Sequence, residues 1–187
     1  MQALERTKEQ IQAKSERMND FLRMEYLESC TKQNIDISAL KYCSNELSKL
    51  YEKNHMYSEA IKYLGKLKEV SPTQNEKMQV FKREIVLLIK GGFYERANSL
   101  FNQVLKVLPD KERYELRREI IEVYFSEANA LEKSGKNSSA LKVYEGLINH
   151  LTDAEKMNTK RKMLVLYKKL GRVRESIEIE REIERNK

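Results

Sequence analysis

YERANSLFNQVLKVLP, residues 94–109, repeats a pattern that first occurs 37 residues earlier (94 minus 57), in YSEAIKYLGKLKEVSP, residues 57–72. Within each copy the apolar residues are spaced three and four apart, which is the period of an α-helix. One such helix cannot bury its apolar face alone, whereas stacked copies can. The repetition therefore predicts helices that pack on one another in a regular array. The matching positions are Tyr57/Tyr94, Ala60/Ala97, Leu64/Phe101, Leu67/Val104, Val70/Val107 and Pro72/Pro109.

Breaks between helices recur at regular intervals along the chain. Gly92, Gly135 and Gly171 each precede a small residue by five positions, and His55 stands at the equivalent place before Ala60. Glycine allows the backbone angles of a tight helix–helix turn at low cost. The steps between these positions are 37, 43 and 36 residues, and this period is typical of a helical solenoid. The predicted turns lie at residues 53–56, 91–92, 134–135 and 170–171.

The units follow, with departures, an order of a leucine with a small residue, then a tyrosine, and later alanine, an aromatic residue and proline. The third unit has Thr152 where proline might stand, and the fourth is degraded, with Ser176 for alanine and Glu180 at the aromatic position. This order resembles the tetratricopeptide repeat (TPR), over residues 38–187. The resemblance implies an all-α fold, a right-handed α-α solenoid of about four TPR-like helix pairs behind an N-terminal helix. The pairs are predicted at 38–74, 75–110, 111–153 and 154–187. The residues that carry the resemblance are Leu47, Ser48, Tyr51, Ala60, Leu64 and Pro72, then Phe81, Leu88, Tyr94, Ala97, Phe101 and Pro109, then Tyr124, Ala128, Leu131, Ala140 and Tyr144, and finally Met163, Leu164, Tyr167 and Ser176.

The array departs from the TPR pattern in its third unit, which carries extra residues after Pro109. We interpret them as a lengthened first helix with Asp110 as its N-cap. The family's usual leucine is also replaced, by Glu84 and by Glu127. The repeat is therefore a divergent one.

Residues 1–36 precede the array and are predicted to form one long capping helix that ends at a break over residues 31–34. We expect the second half of this helix to dock on the array. Its first half offers only Leu4 and Ile11, and the heptad trace through them is too short to support a dimerising arm. The residues expected to dock are Met18, Phe21, Leu22, Tyr26 and Leu27.

Composition narrows the class of protein. Charged residues make up 35% of the chain and no apolar run approaches the length of a membrane span. The two cysteines form neither a disulfide framework nor a zinc signature, and the charged N-terminus is unlike a secretory signal. We therefore expect a cytoplasmic protein with no membrane partner.

No set of residues predicts catalysis, a metal or a cofactor. His55 falls in a turn and His150 near a helix end, and we interpret both as surface or capping histidines. The glycine- and lysine-containing stretches complete no phosphate-binding motif. The sequence thus predicts a protein that is not an enzyme.

The resemblance implies that the first helix of each pair lines a concave groove, where TPR proteins bind extended peptides or a partner's helix. Tyr42, Asn45 and Ile89 are groove-facing on this basis. We predict a protein-interaction scaffold whose groove takes a peptide or helical segment. The candidate partner-binding residues are Lys82, Arg83, Val86, Lys90, Phe125, Asn129, Arg161, Lys162, Lys168 and Lys169.

The partner is predicted to be acidic, because the net charge is +7 and residues 157–174 hold seven basic residues and no acid. At 100° per residue, Arg161, Lys162, Lys168 and Lys169 fall opposite the apolar face of their helix. This surface is either a solvated helix face or a basic end of the groove.

Two alternatives remain open. The first is RNA binding, which is weakened because no aromatic residue lies among the lysines for a base to stack on. The second is a structural subunit of a larger complex, or self-association. Ile179 is predicted to lie off the apolar face formed by Val173, Ile177 and Ile183, and could mark a contact with another chain.

Overall fold

The fold is described from a computed structural model, over residues 6–185 of the 187-residue chain. These residues form ten α-helices and one turn of 3-10 helix, without a β-strand among them, so the all-α prediction is confirmed. The chain divides into two compact units, Met1–Gly91 and Gly92–Lys187. The first contains α1 (Lys8–Ser15), α2 (Asp20–Thr31), α3 (Ile37–Lys53), α4 (Tyr57–Glu69) and α5 (Gln74–Lys90). The second contains α6 (Tyr94–Val107), α7 (Asp110–Lys133), α8 (Asn137–Leu147), the 3-10 turn (Ile148–His150), α9 (Asp153–Lys169) and α10 (Val173–Arg185).

The four predicted turns are confirmed, since each falls between two consecutive helices. Gly92, Gly135 and Gly171 adopt φ values of +78°, +74° and +68°, in the left-handed region that favours glycine. His55 adopts φ +58° at the equivalent position, although it carries a side chain. All four turns therefore use the same backbone conformation, and the first turn does so with an unfavourable residue.

In the first unit, α3 packs against α4, α4 against α5, and α2 against α3. Ser48 and Ala60 are fully buried, which lets α3 and α4 approach closely. The rings of Tyr51 and Tyr63 stack with their centroids 5.7 Å apart. Both hydroxyls donate to the Glu28 carboxylate of α2. This shared carboxylate fixes α2 on the α3–α4 pair.

The single N-terminal helix that the sequence predicts is divided in two. Asn19 begins a new helix because its side chain accepts a hydrogen bond from the Leu22 amide at 3.0 Å. Ile11 and Ser15 of α1 are fully buried, so the first half also docks. In the second half Leu27 is buried as expected, but Phe21 is 65% exposed and Leu22 is exposed as well. Leu4 lies outside the described residues.

In the second unit, α7 packs against α8, α8 against α9, and α9 against α10. The lengthened helix is confirmed as α7, although Pro109 is the N-cap residue and Asp110 is already helical. Thr152 caps α9 in a capping box with Glu155. The described residues include no helix that is long and apolar enough to span a membrane.

The orientation predicted for the last helix is wrong. Ile179 is buried together with Ser176 and Ile183, whereas Val173 and Ile177 are exposed. Positions 176, 179 and 183 share one face of a helix, and so do positions 173 and 177, so the spacing alone does not select between the two faces. Packing on α9 selects the face that carries the small residue Ser176, and so rotates Ile179 inwards.

Candidate interaction surfaces

The ten candidate residues are divided between the two units. Four lie on α5 of the first unit, and the second unit carries two on α7 and four on α9. Lys82, Arg83 and Val86 are half-buried and Lys90 is exposed. Ile89, which was predicted to face the groove, is fully buried in the core, and this assignment is wrong.

Arg83 is the best-anchored candidate in the first unit. Its guanidinium donates to Asn45 Oδ1 at 2.7 Å and to Ser48 Oγ at 3.4 Å, and both partners are on α3. Lys90 forms an ion pair with Glu52 of α3 at 2.8 Å. Polar contacts thus join α3 and α5, and Arg83 has no acidic partner among the described residues.

A cleft of about 530 Å³ opens between α3 and α5. Tyr42, Asn45 and Arg83 line it, and Leu67 and Val80 provide apolar surface at its base. The Tyr42 hydroxyl contacts Ser15 Oγ of α1 at 3.1 Å and accepts from Arg23 of α2 at 3.2 Å. The two N-terminal helices therefore hold one wall of the cleft in position.

In the second unit, three candidates meet at one exposed cluster. The Lys162 ammonium of α9 donates to Asn129 Oδ1 of α7 at 3.3 Å and lies 5.9 Å from the Phe125 ring centroid. It also donates to the Tyr144 hydroxyl at 3.3 Å. Tyr144 in turn donates to Glu132 at 2.6 Å. Burial, followed by the Glu132 contact, raises the pKa of Tyr144, so its hydroxyl remains protonated.

The other three candidate cations of α9, Arg161, Lys168 and Lys169, are exposed but do not join this cluster. Lys168 forms an ion pair with Glu180 of α10 at 3.0 Å. Arg161 donates to Asn158 on its own helix at 3.5 Å. Neither Arg161 nor Lys169 has an acidic partner among the described residues. The structure thus splits the predicted four-residue patch into a Lys162 cluster, two unpaired cations and one paired lysine.

A buried polar network in the second unit was missed by sequence reasoning. Asn98 of α6 donates to the Gly146 carbonyl at 2.9 Å, and its Oδ1 accepts from the Tyr124 hydroxyl at 2.6 Å. His150 Nε2 lies 3.2 Å from the same Oδ1 and must be the donor, because an amide oxygen only accepts. A Cβ at Gly146 would lie 3.3 Å from Tyr94 Cβ, so glycine permits this close approach of α6 and α8.

The prediction that His150 is a surface or capping histidine is therefore wrong. Its ring packs edge-on against Phe101 with centroids 5.0 Å apart, and its carbonyl accepts from Arg117. Burial, and then the Arg117 charge, lowers the pKa of His150. His55, by contrast, is exposed as expected, with Nδ1 3.0 Å from the Tyr57 hydroxyl. No group of side chains suited to hold a metal ion occurs among residues 6–185.

No family model matches the sequence, and no curated protein matches it either. Solved structures similar to this chain include MamA 41-end from Desulfovibrio magneticus RS-1, at 14% identity and TM-score 0.43, with 99% of each chain covered. Another is a Podosopora anserina putative kinesin light chain with nearly identical TPR-like repeats, at 16% identity and TM-score 0.40, with 95% of this chain and 91% of that chain covered. The chain itself is an array of consecutive α-helices with left-handed turn residues at regular intervals, which is an all-α helical-repeat fold.

Proposed function

We propose that this protein is a non-catalytic protein-interaction module that binds an acidic peptide or helical segment of a partner. The binding surfaces are the exposed faces of the first helices of the pairs, on α3 and α5 in one unit and on α7 and α9 in the other. We place this activity in the cytoplasm, which suits two buried cysteines, Cys30 and Cys43, that are not joined in a disulfide.

The observation that carries the proposal is the cluster around Lys162. Its ammonium is oriented by Asn129 and by the Tyr144 hydroxyl, so less side-chain freedom is lost when an acid binds it. The half-buried Phe125 ring beside it offers apolar contact area. Arg161 and Lys169 add charge on the same helix without acidic partners among the described residues. A cationic surface of this kind mainly raises the rate of association with acidic partners, and salt screens it.

The test is affinity capture from a lysate of the source organism, with and without nuclease. One arm uses Arg161→Glu, Lys162→Glu and Lys169→Glu together, which lowers the net charge from +7 to +1. The matched control changes three exposed lysines elsewhere in the second unit, Lys111, Lys136 and Lys142, to glutamate. The control has the same net charge but an intact Lys162 cluster.

The expected result is an acidic protein partner that survives nuclease, is retained by the control and is lost in the α9 variant. Equal retention by both variants would remove α9 from the binding surface. Loss of all captured material on nuclease treatment would instead support the RNA-binding alternative, with the α9 cations contacting phosphates.

A second candidate function, as a structural subunit, is favoured by the two exposed apolar residues of α10. Val173 and Ile177 lie one turn apart on the same face of that helix. Changing both to serine in the same capture separates the two functions. A partner lost in this variant and retained in the α9 variant is held by α10.

A further inference from the structure

Two hollows meet along α3. The larger one, of about 530 Å³, lies between α3 and α5 and reaches Asn45 and Arg83. The smaller one, of about 470 Å³, lies between the start of α3 and the C-terminal end of α4, and its lining includes Ile37, Glu69 and Pro72. Ser38, Lys41 and Ser71 line both hollows, so together they form one cleft along α3. Where they meet, the Lys41 ammonium is 2.6 Å from the Glu76 carboxylate of α5.

Both hollows can receive apolar side chains. Leu67 and Val80 form apolar surface in the larger one. Ile37, in the smaller one, is 70% exposed, so its side chain is accessible to a ligand. Volumes of this size are typical of pockets that bury ligand groups.

The charge of the cleft identifies the kind of partner. Lys41 is neutralised by Glu76, and Glu69 adds a carboxylate to the smaller hollow. The larger hollow is lined by two further cations, Lys8 and Arg83. Among the described residues, Arg83 is bonded to the neutral groups of Asn45 and Ser48 and has no acidic partner. Arg83 therefore places a positive charge at the end of the cleft near Asn45, and an acid bound there would be complementary to it.

The length of the cleft determines how far apart the bound side chains of the ligand must lie. From Ile37 to Asn45 the axis of α3 rises about 12 Å, at about 1.5 Å per residue. Residues i, i+2 and i+4 of an extended chain lie on one face and span about 13 Å. Three such side chains fit the two hollows and the Arg83 end in order.

We propose that this cleft binds a short extended segment of an acidic partner, with apolar residues at i and i+2 and a carboxylate at i+4. The two apolar side chains occupy the two hollows, and the carboxylate binds Arg83. This assignment rests on the proposed function and names the sequence pattern that the first unit selects.

The experiment is a titration of the isotopically labelled full chain, followed by amide chemical shifts, with three acetylated and amidated pentapeptides. The first is Leu-Ser-Leu-Ser-Asp, the second replaces Asp with Lys, and the third replaces both leucines with Ser. Only the first should shift the cleft amides at millimolar concentration. The other two should bind at least about ten-fold more weakly.

Two variants test the position of the site. Ser38→Trp places an indole across both hollows from an exposed position, and Gln79→Trp does so in the larger hollow. Ser58→Trp is the matched control, because Ser58 is the exposed second residue of α4 as Ser38 is of α3. We expect an at least ten-fold weaker affinity for the first peptide in both cleft variants and no change in the control. Thermal unfolding of all three variants shows whether each is folded. If Ser38→Trp does not fold, the affinity of Gln79→Trp decides the test.

Equal binding of the aspartate and lysine peptides, or equal affinity in Ser38→Trp and Ser58→Trp, would overturn the assignment. So would the absence of any shift with the first peptide. None of these results affects the interpretation of the capture experiment on α9, because that experiment changes only residues of the second unit. A partner that is captured by the wild-type chain and by Ser38→Trp alike would keep the proposed function and reject this cleft.

Discussion

The two units bury different polar groups among their tyrosines. In the first, the Glu28 carboxylate accepts hydrogen bonds from Tyr51 and Tyr63 and joins α2 to α3 and α4. In the second, the neutral Asn98 amide bonds Tyr124, His150 and the Gly146 carbonyl, and so joins α6 to α7, α8 and the 3-10 turn. The tyrosines stand at different positions of the repeat in the two units, and the group that binds them is specific to each.

The surroundings of each group explain why one is a carboxylate and the other an amide. Glu28 is half-buried, and it stays ionised because the Tyr51 hydrogen bond lowers its pKa more than burial raises it, with help from Tyr63 and Lys32. Asn98 is half-buried as well, but it accepts from Tyr124 and His150 and also donates to the Gly146 carbonyl. An amide fits there because it both donates and accepts, whereas an ionised carboxylate only accepts.

The largest effect is expected from Asn98→Ala. Removing the amide leaves the Tyr124 hydroxyl, the His150 ring nitrogen and the Gly146 carbonyl without their partner. Each unsatisfied buried group costs about 1 kcal/mol or more, so the free energy of unfolding should fall by about 3 kcal/mol. Urea denaturation of the wild type and the variant measures this difference in the free energy of unfolding. Asn102→Ala, at an exposed position of the same helix, should change it by less than about 0.5 kcal/mol. Similar losses in the two variants would mean that the network contributes nothing specific.

Glu28→Leu tests the corresponding group in the first unit and should cost about 2 kcal/mol, because hydrogen bonds to a charged acceptor are lost. The pKa of Glu28 is lowered in the folded state, so its contribution is complete above the usual glutamate pKa and is lost as the pH falls through the lower folded value. The difference between wild type and variant in chemical denaturation should therefore shrink at acid pH. Glu25→Leu, at an exposed position of α2, should show neither the loss nor this pH dependence.

A comparison of the turns with the Asn98 network shows which features of the structure the sequence predicts. The four turns were predicted correctly, because a glycine or His55 followed by a small residue five positions on is a local signal. The bonds of Asn98 join residues 26 and 52 positions apart, and no spacing within one helix reports them. Ile179 was misplaced for a related reason, since packing on α9 and not the period of α10 fixes its rotation.

The candidate surfaces were predictable only in part. Exposure of the four candidate cations of α9 follows from helical geometry, and all four are exposed. The pairing of Lys168 with Glu180 and the contact of Lys162 with Phe125 depend on side-chain placement across helices. The division of residues 1–36 into two helices was signalled locally by Asn19, a favoured N-cap residue that the single-helix prediction ignored.

A smaller effect, a pH-dependent loss of stability in the second unit and not in the first, is expected from His150. Its pKa is lowered in the folded state, so the unfolded chain takes up the proton first as the pH falls below about 6.5. The stability of the second unit should then decline as the pH falls from about 6.5 towards the lowered pKa of His150, and this decline begins before Glu28 titrates in the first unit. Hydrogen exchange resolved by residue measures each unit separately. His150→Gln should remove the decline and His55→Gln, at an exposed histidine, should retain it. A decline of equal size in both units would contradict the assignment to His150.

The smallest effect concerns the turns, where the first unit has His55 and the second has Gly135 and Gly171. A residue with a side chain pays about 1 kcal/mol or more for the left-handed conformation, and glycine does not. Glycine also gives the unfolded chain more freedom, which offsets part of that gain. His55→Gly should therefore raise the free energy of unfolding by about 0.5 kcal/mol. Gly135→His should lower it by a similar amount, because a Cβ at Gly135 meets no atom within 4 Å and only the backbone opposes it. If both changes destabilise the protein, the side chain of His55 contributes through its contact with Tyr57, and the two turns are not equivalent.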